Sequence, residues 1–79
     1  MNNLEKYNKA FKETFLVEES NLNDQFTNQN VDNWDSVHQL SLVTSLEEIF
    51  DIMFETEDIL GLFSYKQGKE ILAKYDVIV

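Results

Sequence analysis

The fold of this 79-residue chain is decided by the stretch Trp34-Asp-Ser-Val-His-Gln-Leu-Ser-Leu-Val-Thr-Ser-Leu-Glu-Glu-Ile-Phe50. Leu42, Leu46 and Ile49 recur there at spacings of four and three residues, which places them on one face of a helix. The Asp-Ser pair precedes this pattern, and both residue types favour the start of a helix. The stretch therefore predicts an amphipathic helix with Ser36 displayed at its positive end.

The same helix carries a second, smaller apolar strip, which consists of Val37 and Leu40. These two side chains point away from the first face, and Glu47, Glu48 and Asp51 surround them. We interpret Val37 and Leu40 as a docking strip for a partner. The alternative is that they are single exposed aliphatic residues, which are ordinary on protein surfaces.

The middle of the chain is strongly acidic. Twelve acidic and no basic side chains lie between Glu13 and Tyr65, so this segment has a formal charge of −12 within a chain of −9. Such a field repels nucleic-acid phosphates and anionic lipids, and it attracts proteins with basic patches. The charge therefore argues against nucleic-acid and membrane binding, although it could also serve solubility alone.

Residues for catalysis or metal binding are scarce. The chain has one histidine and no cysteine, which excludes disulfides, thiolate metal sites and Cys-His nucleophile pairs. Ser36 and His38 are two residues apart on the predicted helix, so their side chains diverge and do not form a dyad. An EF-hand that starts at Asp24 fails, because Phe26 and Gln29 stand where a ligand and a glycine are required. We expect neither an enzyme nor a metal site.

Three further helices are predicted around the central one. The first has its apolar face at Leu4, Tyr7, Phe11 and Phe15, with Asn2 or Asn3 as its cap. A long polar loop over residues 17–33 follows, with anchors at Leu22, Phe26 and Val31. A short third helix is predicted from a cap at Thr56 to about Leu62.

The last helix is predicted from Tyr65 to about Tyr75, because Ser64 and Gln67 are spaced as a capping box. Gly68 is unfavourable within a helix, so we expect a neighbouring helix to approach it closely. Glu70 and Lys74 have the spacing of an ion pair, and residues 76–79 are predicted to fray. By pattern alone the central helix would continue to about Phe54.

These elements predict an all-α fold: one domain over residues 1–79, a small four-helix bundle of three longer helices and one short helix. No apolar run is long enough to span a membrane and the first residues do not form a signal peptide, so a cytoplasmic monomer is expected.

Asp35-Ser36-Val37, followed by Leu42-Val43, Leu46-Glu47-Glu48 and Phe50-Asp51, resembles the acyl carrier proteins over nearly the whole chain. The resemblance implies that a separate phosphopantetheinyl transferase attaches 4'-phosphopantetheine to Ser36 and that its thiol then holds acyl groups as thioesters. Acyl-loading, acyl-transfer and condensing enzymes with basic patches would be the further partners. The residues that would face them are Asp35, Val37, Leu40, Glu47 and Glu48.

The resemblance also implies that the central helix ends near Asp51, with Ile52 and Phe54 folded inward. Carriers of central fatty-acid synthesis usually have acids at the positions of His38 and Ser41, and the Trp34-Asp-Ser form resembles dedicated carriers of polyketide, peptide or surface-saccharide assembly.

Three alternatives stay open. The chain could be a discrete aminoacyl or peptidyl carrier, or an acidic adaptor of the same fold without phosphopantetheine. In the adaptor, Ser36 would only cap its helix, since Ser36 and Gln39 are also spaced as a capping box. The third alternative, a small hydrolase, would use Ser36 and His38.

Overall fold

The computed structural model describes residues 2–79, which form four α-helices and no β-strand. The helices are α1 (Asn3–Phe15), α2 (Ser36–Phe50), α3 (Thr56–Leu60) and α4 (Tyr65–Ala73). The loop after α1 contains one turn of 3₁₀ helix at Glu19–Asn21. This confirms the prediction of an all-helical chain with three longer helices and one short helix. None of the helices in the described part of the chain is long and apolar enough to cross a membrane.

Helix α1 begins where the sequence predicts. The side chain of Asn2 caps it by accepting the Glu5 N–H at 2.8 Å. Tyr7, Phe11 and Phe15 are buried, as their spacing indicates. Leu4, predicted on the same face, is instead exposed, because it lies in the first turn at the edge of the packed face.

Helix α2 ends earlier than its apolar pattern indicates. Asp51 has a φ angle of 53°, which is left-handed, and this residue terminates the helix after Phe50. The Ile52 N–H then donates to Glu47 O at 3.1 Å, and Phe54 turns into the core. The prediction from periodicity was wrong here, whereas the end near Asp51 that the family resemblance implies is confirmed.

Helix α3 is also shorter than predicted. Glu55, rather than Thr56, is its N-cap residue, without a side-chain hydrogen bond, and the helix ends at Leu60 instead of Leu62. Leu62 is buried, because the chain turns inward after Gly61.

Helix α4 has the predicted cap, because Ser64 Oγ accepts the Gln67 N–H at 2.9 Å. The helix ends at Ala73, before the predicted Tyr75. The segment after it does not fray: Val77 is buried, and Asn3 Nδ2 donates to Ile78 O at 3.1 Å. These contacts tie the C-terminal segment to the first turn of α1.

An aromatic cluster forms the centre of the core. The Phe11 ring lies 5.3 Å from the Tyr65 ring and 5.8 Å from the Phe26 ring, centroid to centroid. The buried Tyr7 hydroxyl donates to Tyr65 O at 2.5 Å, and the Tyr65 hydroxyl donates to Asn8 Oδ1. Burial raises the pKa of Tyr7, which keeps its phenol neutral. Of the three predicted loop anchors, Phe26 is buried, and Leu22 and Val31 pack half-buried against the core.

The close approach expected at Gly68 is present. A methyl group there would collide with the Tyr7 hydroxyl and would lie 3.1 Å from Leu62 Cδ1. We therefore expect Gly68→Ala to lower the free energy of unfolding by about 1–3 kcal/mol through overpacking, although alanine favours helix by ~1 kcal/mol. Urea unfolding followed by circular dichroism measures this.

Gly61→Ala is the matched control, because its added methyl group would meet only backbone oxygens, the nearest being Glu57 O at 3.3 Å. It should cost much less than Gly68→Ala. A Gly68→Ala variant that is as stable as the parent would contradict the tight contact between α1 and α4.

Candidate functional site

Ser36 is the first residue of α2 and is exposed. The residue before it caps the helix, since Asp35 Oδ1 accepts the His38 N–H at 2.9 Å. The alternative in which Ser36 and Gln39 form a capping box is therefore wrong: Asp35 performs the capping, and the Gln39 side chain bonds to Trp34 and Ile59. The Ser36 hydroxyl is consequently not needed to start the helix.

His38 belongs to the cap rather than to Ser36. Its Nδ1 lies 2.8 Å from Asp35 Oδ1, and its ring stacks on Phe15 at 5.8 Å between centroids, with an interplanar angle of 17°. The hydrogen bond from the His38 N–H is the main cause that lowers the pKa of Asp35, and the hydrogen bond with the His38 ring lowers this pKa further. Within residues 2–79, the ring of His38 bonds to Asp35 and forms no hydrogen bond with Ser36.

A groove opens beside Ser36, between the first turns of α2 and the short helix α3. Its volume is about 450 Å³. Most of its lining is apolar, and the exposed Ser36 is one of the residues that line it. The side chains that line it with Ser36 are Asn28, Trp34, Asp35, Gln39, Leu40, Ile59, Leu60 and Phe63.

The Gln39 side chain lines this groove and joins α2 to α3, and we call the part of the groove that it covers the floor. Its Oε1 accepts the Trp34 indole N–H at 2.5 Å, and its Nε2 donates to Ile59 O at 2.7 Å. We call these two hydrogen bonds the amide bridge; it joins the loop before α2 to α3. All three partners are half-buried, so separating them without replacement would cost about 1–3 kcal/mol for each unsatisfied group.

The Trp34 ring fixes the amide bridge to the core. Its centroid lies 4.8 Å from that of Phe15 and 5.8 Å from that of Phe26. The residues at the start of α2 therefore rest on the aromatic cluster. The sequence indicates no role for the Gln39 side chain beyond a cap, because its partner Ile59 lies twenty residues away and no local spacing marks it.

The predicted docking strip is exposed: Val37 is 70% and Leu40 59% accessible to solvent. Leu60 and Phe63, which line the same groove as Leu40, are 68% and 47% accessible. The exposed apolar surface is thus larger than predicted and continues onto both sides of the groove. Leu60 ends α3 and Phe63 follows it, but the sequence does not show that they line one groove with Leu40.

The two predicted partner-facing glutamates differ in their surroundings. Glu48 is exposed, whereas Glu47 is half-buried and its Oε2 accepts the Phe54 N–H at 2.9 Å. Glu47 therefore also stabilises the inward turn that follows α2.

Helix α3 is held on its other side by an ionic contact. The Asp58 carboxylate is buried and accepts Lys74 Nζ and the Tyr75 hydroxyl, each at 2.5 Å. The same hydroxyl accepts the Glu55 N–H at 2.8 Å. Lys74 thus pairs with Asp58 of α3. The prediction that it pairs with Glu70 was wrong, because the buried carboxylate is the stronger acceptor for it.

Comparisons with known proteins add no assignment: no family model matches the chain, and no curated protein matches it. A functional interpretation therefore depends on the geometry around Ser36 and on the sequence motif that contains it.

The Asp58 contact should make stability depend on pH. The hydrogen bond from Lys74 is the main cause that lowers the pKa of Asp58 in the folded chain, and the hydrogen bond from Tyr75 lowers it further. Because the pKa of Asp58 is lower in the folded chain, the contact stabilises the fold at pH values above the pKa in the unfolded chain, which is about 4. This contribution is lost as the pH falls through the pKa in the folded chain. We expect Asp58→Asn to be less stable at pH 7 and to lose less stability between about pH 5 and pH 2.

Urea midpoints measured across this pH range test the expectation. Glu57→Gln is the control for the loss of one negative charge, because Glu57 is an exposed residue of the same helix. It should keep the acid-induced loss of stability. An Asp58→Asn variant with the same pH profile as the parent would show that the Asp58 contact does not act this way.

Proposed function

We propose that this chain is an acyl carrier protein that bears 4'-phosphopantetheine on Ser36 Oγ and holds acyl groups as thioesters on the arm. The observation that carries the proposal is the exposed Ser36 hydroxyl at the first position of α2, where Asp35 rather than Ser36 caps the helix. The surrounding Asp-Ser-Val motif, the adjoining groove and the all-helical fold support it.

The proposed attachment is a group transfer from coenzyme A. Ser36 Oγ attacks a phosphorus of the pyrophosphate, the phosphorus–oxygen bond to the adenosine portion breaks, and adenosine bisphosphate leaves. A base of the transferase takes the hydroxyl proton. The product is a phosphodiester whose negative charge lies at the positive end of α2, which favours it. The chain itself supplies no catalytic residue in this scheme.

The surface around the groove supports protein partners of a particular kind. Val37, Leu40 and Leu60 are exposed apolar residues within a segment that carries twelve acidic and no basic side chains. Enzymes with a basic patch around an apolar centre would match it, since opposite charges speed association and apolar contacts supply affinity. We propose that loading, transfer or condensing enzymes of a specialised pathway bind here.

The transferase reaction tests the proposal directly. Incubation of the apo protein with coenzyme A, Mg²⁺ and a broad-specificity phosphopantetheinyl transferase should add one arm to the intact mass. Ser36→Ala should abolish the gain. Ser41→Ala should keep it, because Ser41 is an exposed serine of the same helix that lies outside the groove.

A missing mass gain, or a gain that survives Ser36→Ala, would exclude this carrier function. The acidic adaptor is the second candidate, because the exposed docking strip and the acidic segment do not depend on Ser36. It predicts salt-sensitive binding to a basic protein that Ser36→Ala leaves unchanged.

The docking strip can be tested at Val37. Val37→Asp should reduce kcat/KM of the transferase by about tenfold or more, because it places a charge in an apolar contact. The free energy of unfolding should change by no more than about 0.5 kcal/mol, because the side chain is exposed. Steady-state kinetics and urea unfolding measure the two quantities.

Ile78→Asp is the matched control. Ile78 is similarly exposed, but it lies beside the start of α1. Val37 lies at the opposite end of α1, because the start of α2 packs beside the last residue of α1. Ile78→Asp should leave kcat/KM unchanged. A strongly destabilised Val37→Asp variant, or one with unchanged kinetics, would remove Val37 from the docking surface.

A further inference from the structure

The groove beside Ser36 has a polar floor beneath apolar walls. The amide bridge from Trp34 through Gln39 to Ile59 O crosses it and closes the gap between α2 and α3. A group attached at Ser36 that passed between these helices at Gln39 would have to separate Gln39 Nε2 from Ile59 O. The bridge therefore joins α2 to α3 beside the proposed attachment site.

We infer that Gln39 is a specificity-determining residue: its amide keeps the floor of the groove closed, so that the arm carries short or polar acyl groups rather than long aliphatic chains. The inference rests on the proposed carrier function and names its class of cargo. A long chain would stay on the surface instead of being sheltered between α2 and α3.

Long aliphatic and short polar acyl groups differ in the hydrogen bonds that they can form with the floor of the groove. An aliphatic chain has no donor or acceptor, so on passing between the helices it would leave the Trp34 N–H, the Gln39 amide and Ile59 O without partners. A short polar group can instead lie on the closed floor. The Gln39 amide has one N–H beyond the one that Ile59 O accepts, and Asn28 also lines the groove, so hydrogen-bonding groups are available to such a cargo.

The test attaches alkyl chains of graded length at position 36. Because the chain has no cysteine, Ser36→Cys provides a single thiol, to which methyl, butyl and decyl groups can be joined as mixed disulfides. The readouts are the melting temperature and the hydrogen exchange of the indole N–H of Trp34, the only tryptophan. Both are compared in the Gln39 parent and in Gln39→Leu.

In the parent, the decyl adduct should melt no higher than the methyl adduct, and the indole N–H should stay protected with both. In Gln39→Leu, the indole N–H should exchange at least tenfold faster, and the decyl adduct should melt above the methyl adduct. Gln29→Leu is the matched control, since Gln29 is exposed in the loop, and it should behave like the parent.

A parent whose melting temperature rises with chain length, together with faster indole exchange, would overturn the inference. So would a Gln29→Leu variant that responds like Gln39→Leu. The parent series decides the question even where Gln39→Leu does not fold. Because the thiol chemistry needs no transferase, the role of Gln39 is tested separately from carrier function, which the mass gain on Ser36 decides.

Discussion

The hydrogen bond from the His38 N–H to Asp35 Oδ1 is the contact on which the rest of the site depends. It fixes the first turn of α2, and it does so with the residue before Ser36, so the serine hydroxyl is not used to start the helix. The same carboxylate holds the His38 ring, which stacks on Phe15 of α1. The beginning of α2 is thereby joined to the core, and a group attached at Ser36 would swing from a fixed point.

Helix α3 owes its position to polar contacts on two sides. It has only five residues and no side-chain cap, so it could not persist by itself in water. Gln39 of α2 holds it through Ile59 O, and Lys74 and Tyr75 hold it through the Asp58 carboxylate. These contacts consequently hold α3 in place beside the groove that Ser36 lines.

The sequence predicts the elements whose causes are local. The cap at Ser64 and the buried residues of α1 follow from residue type and spacing, and the glycine at position 68 indicates a close approach without indicating that Tyr7 makes it. The sequence does not predict a feature that depends on a distant partner, or on a left-handed backbone conformation at a residue other than glycine. Asp51 ends α2 in a left-handed conformation that is usual for glycine, so periodicity alone extended that helix. Lys74 pairs with Asp58, sixteen residues away, where helical spacing considers only Glu70.

In the candidate site, too, some residues could be predicted from local spacing and others could not. Ser36, Val37 and Leu40 were predictable because a helical pattern distinguishes its exposed residues from its buried ones. Gln39 was not, because a glutamine in the first turns of a helix is ordinarily a cap or a surface residue, and only the fold brings it between Trp34 and Ile59. The motif around Ser36 therefore indicates where a group would be attached, whereas the amide bridge, which forms only in the folded chain, would limit what can lie beside it.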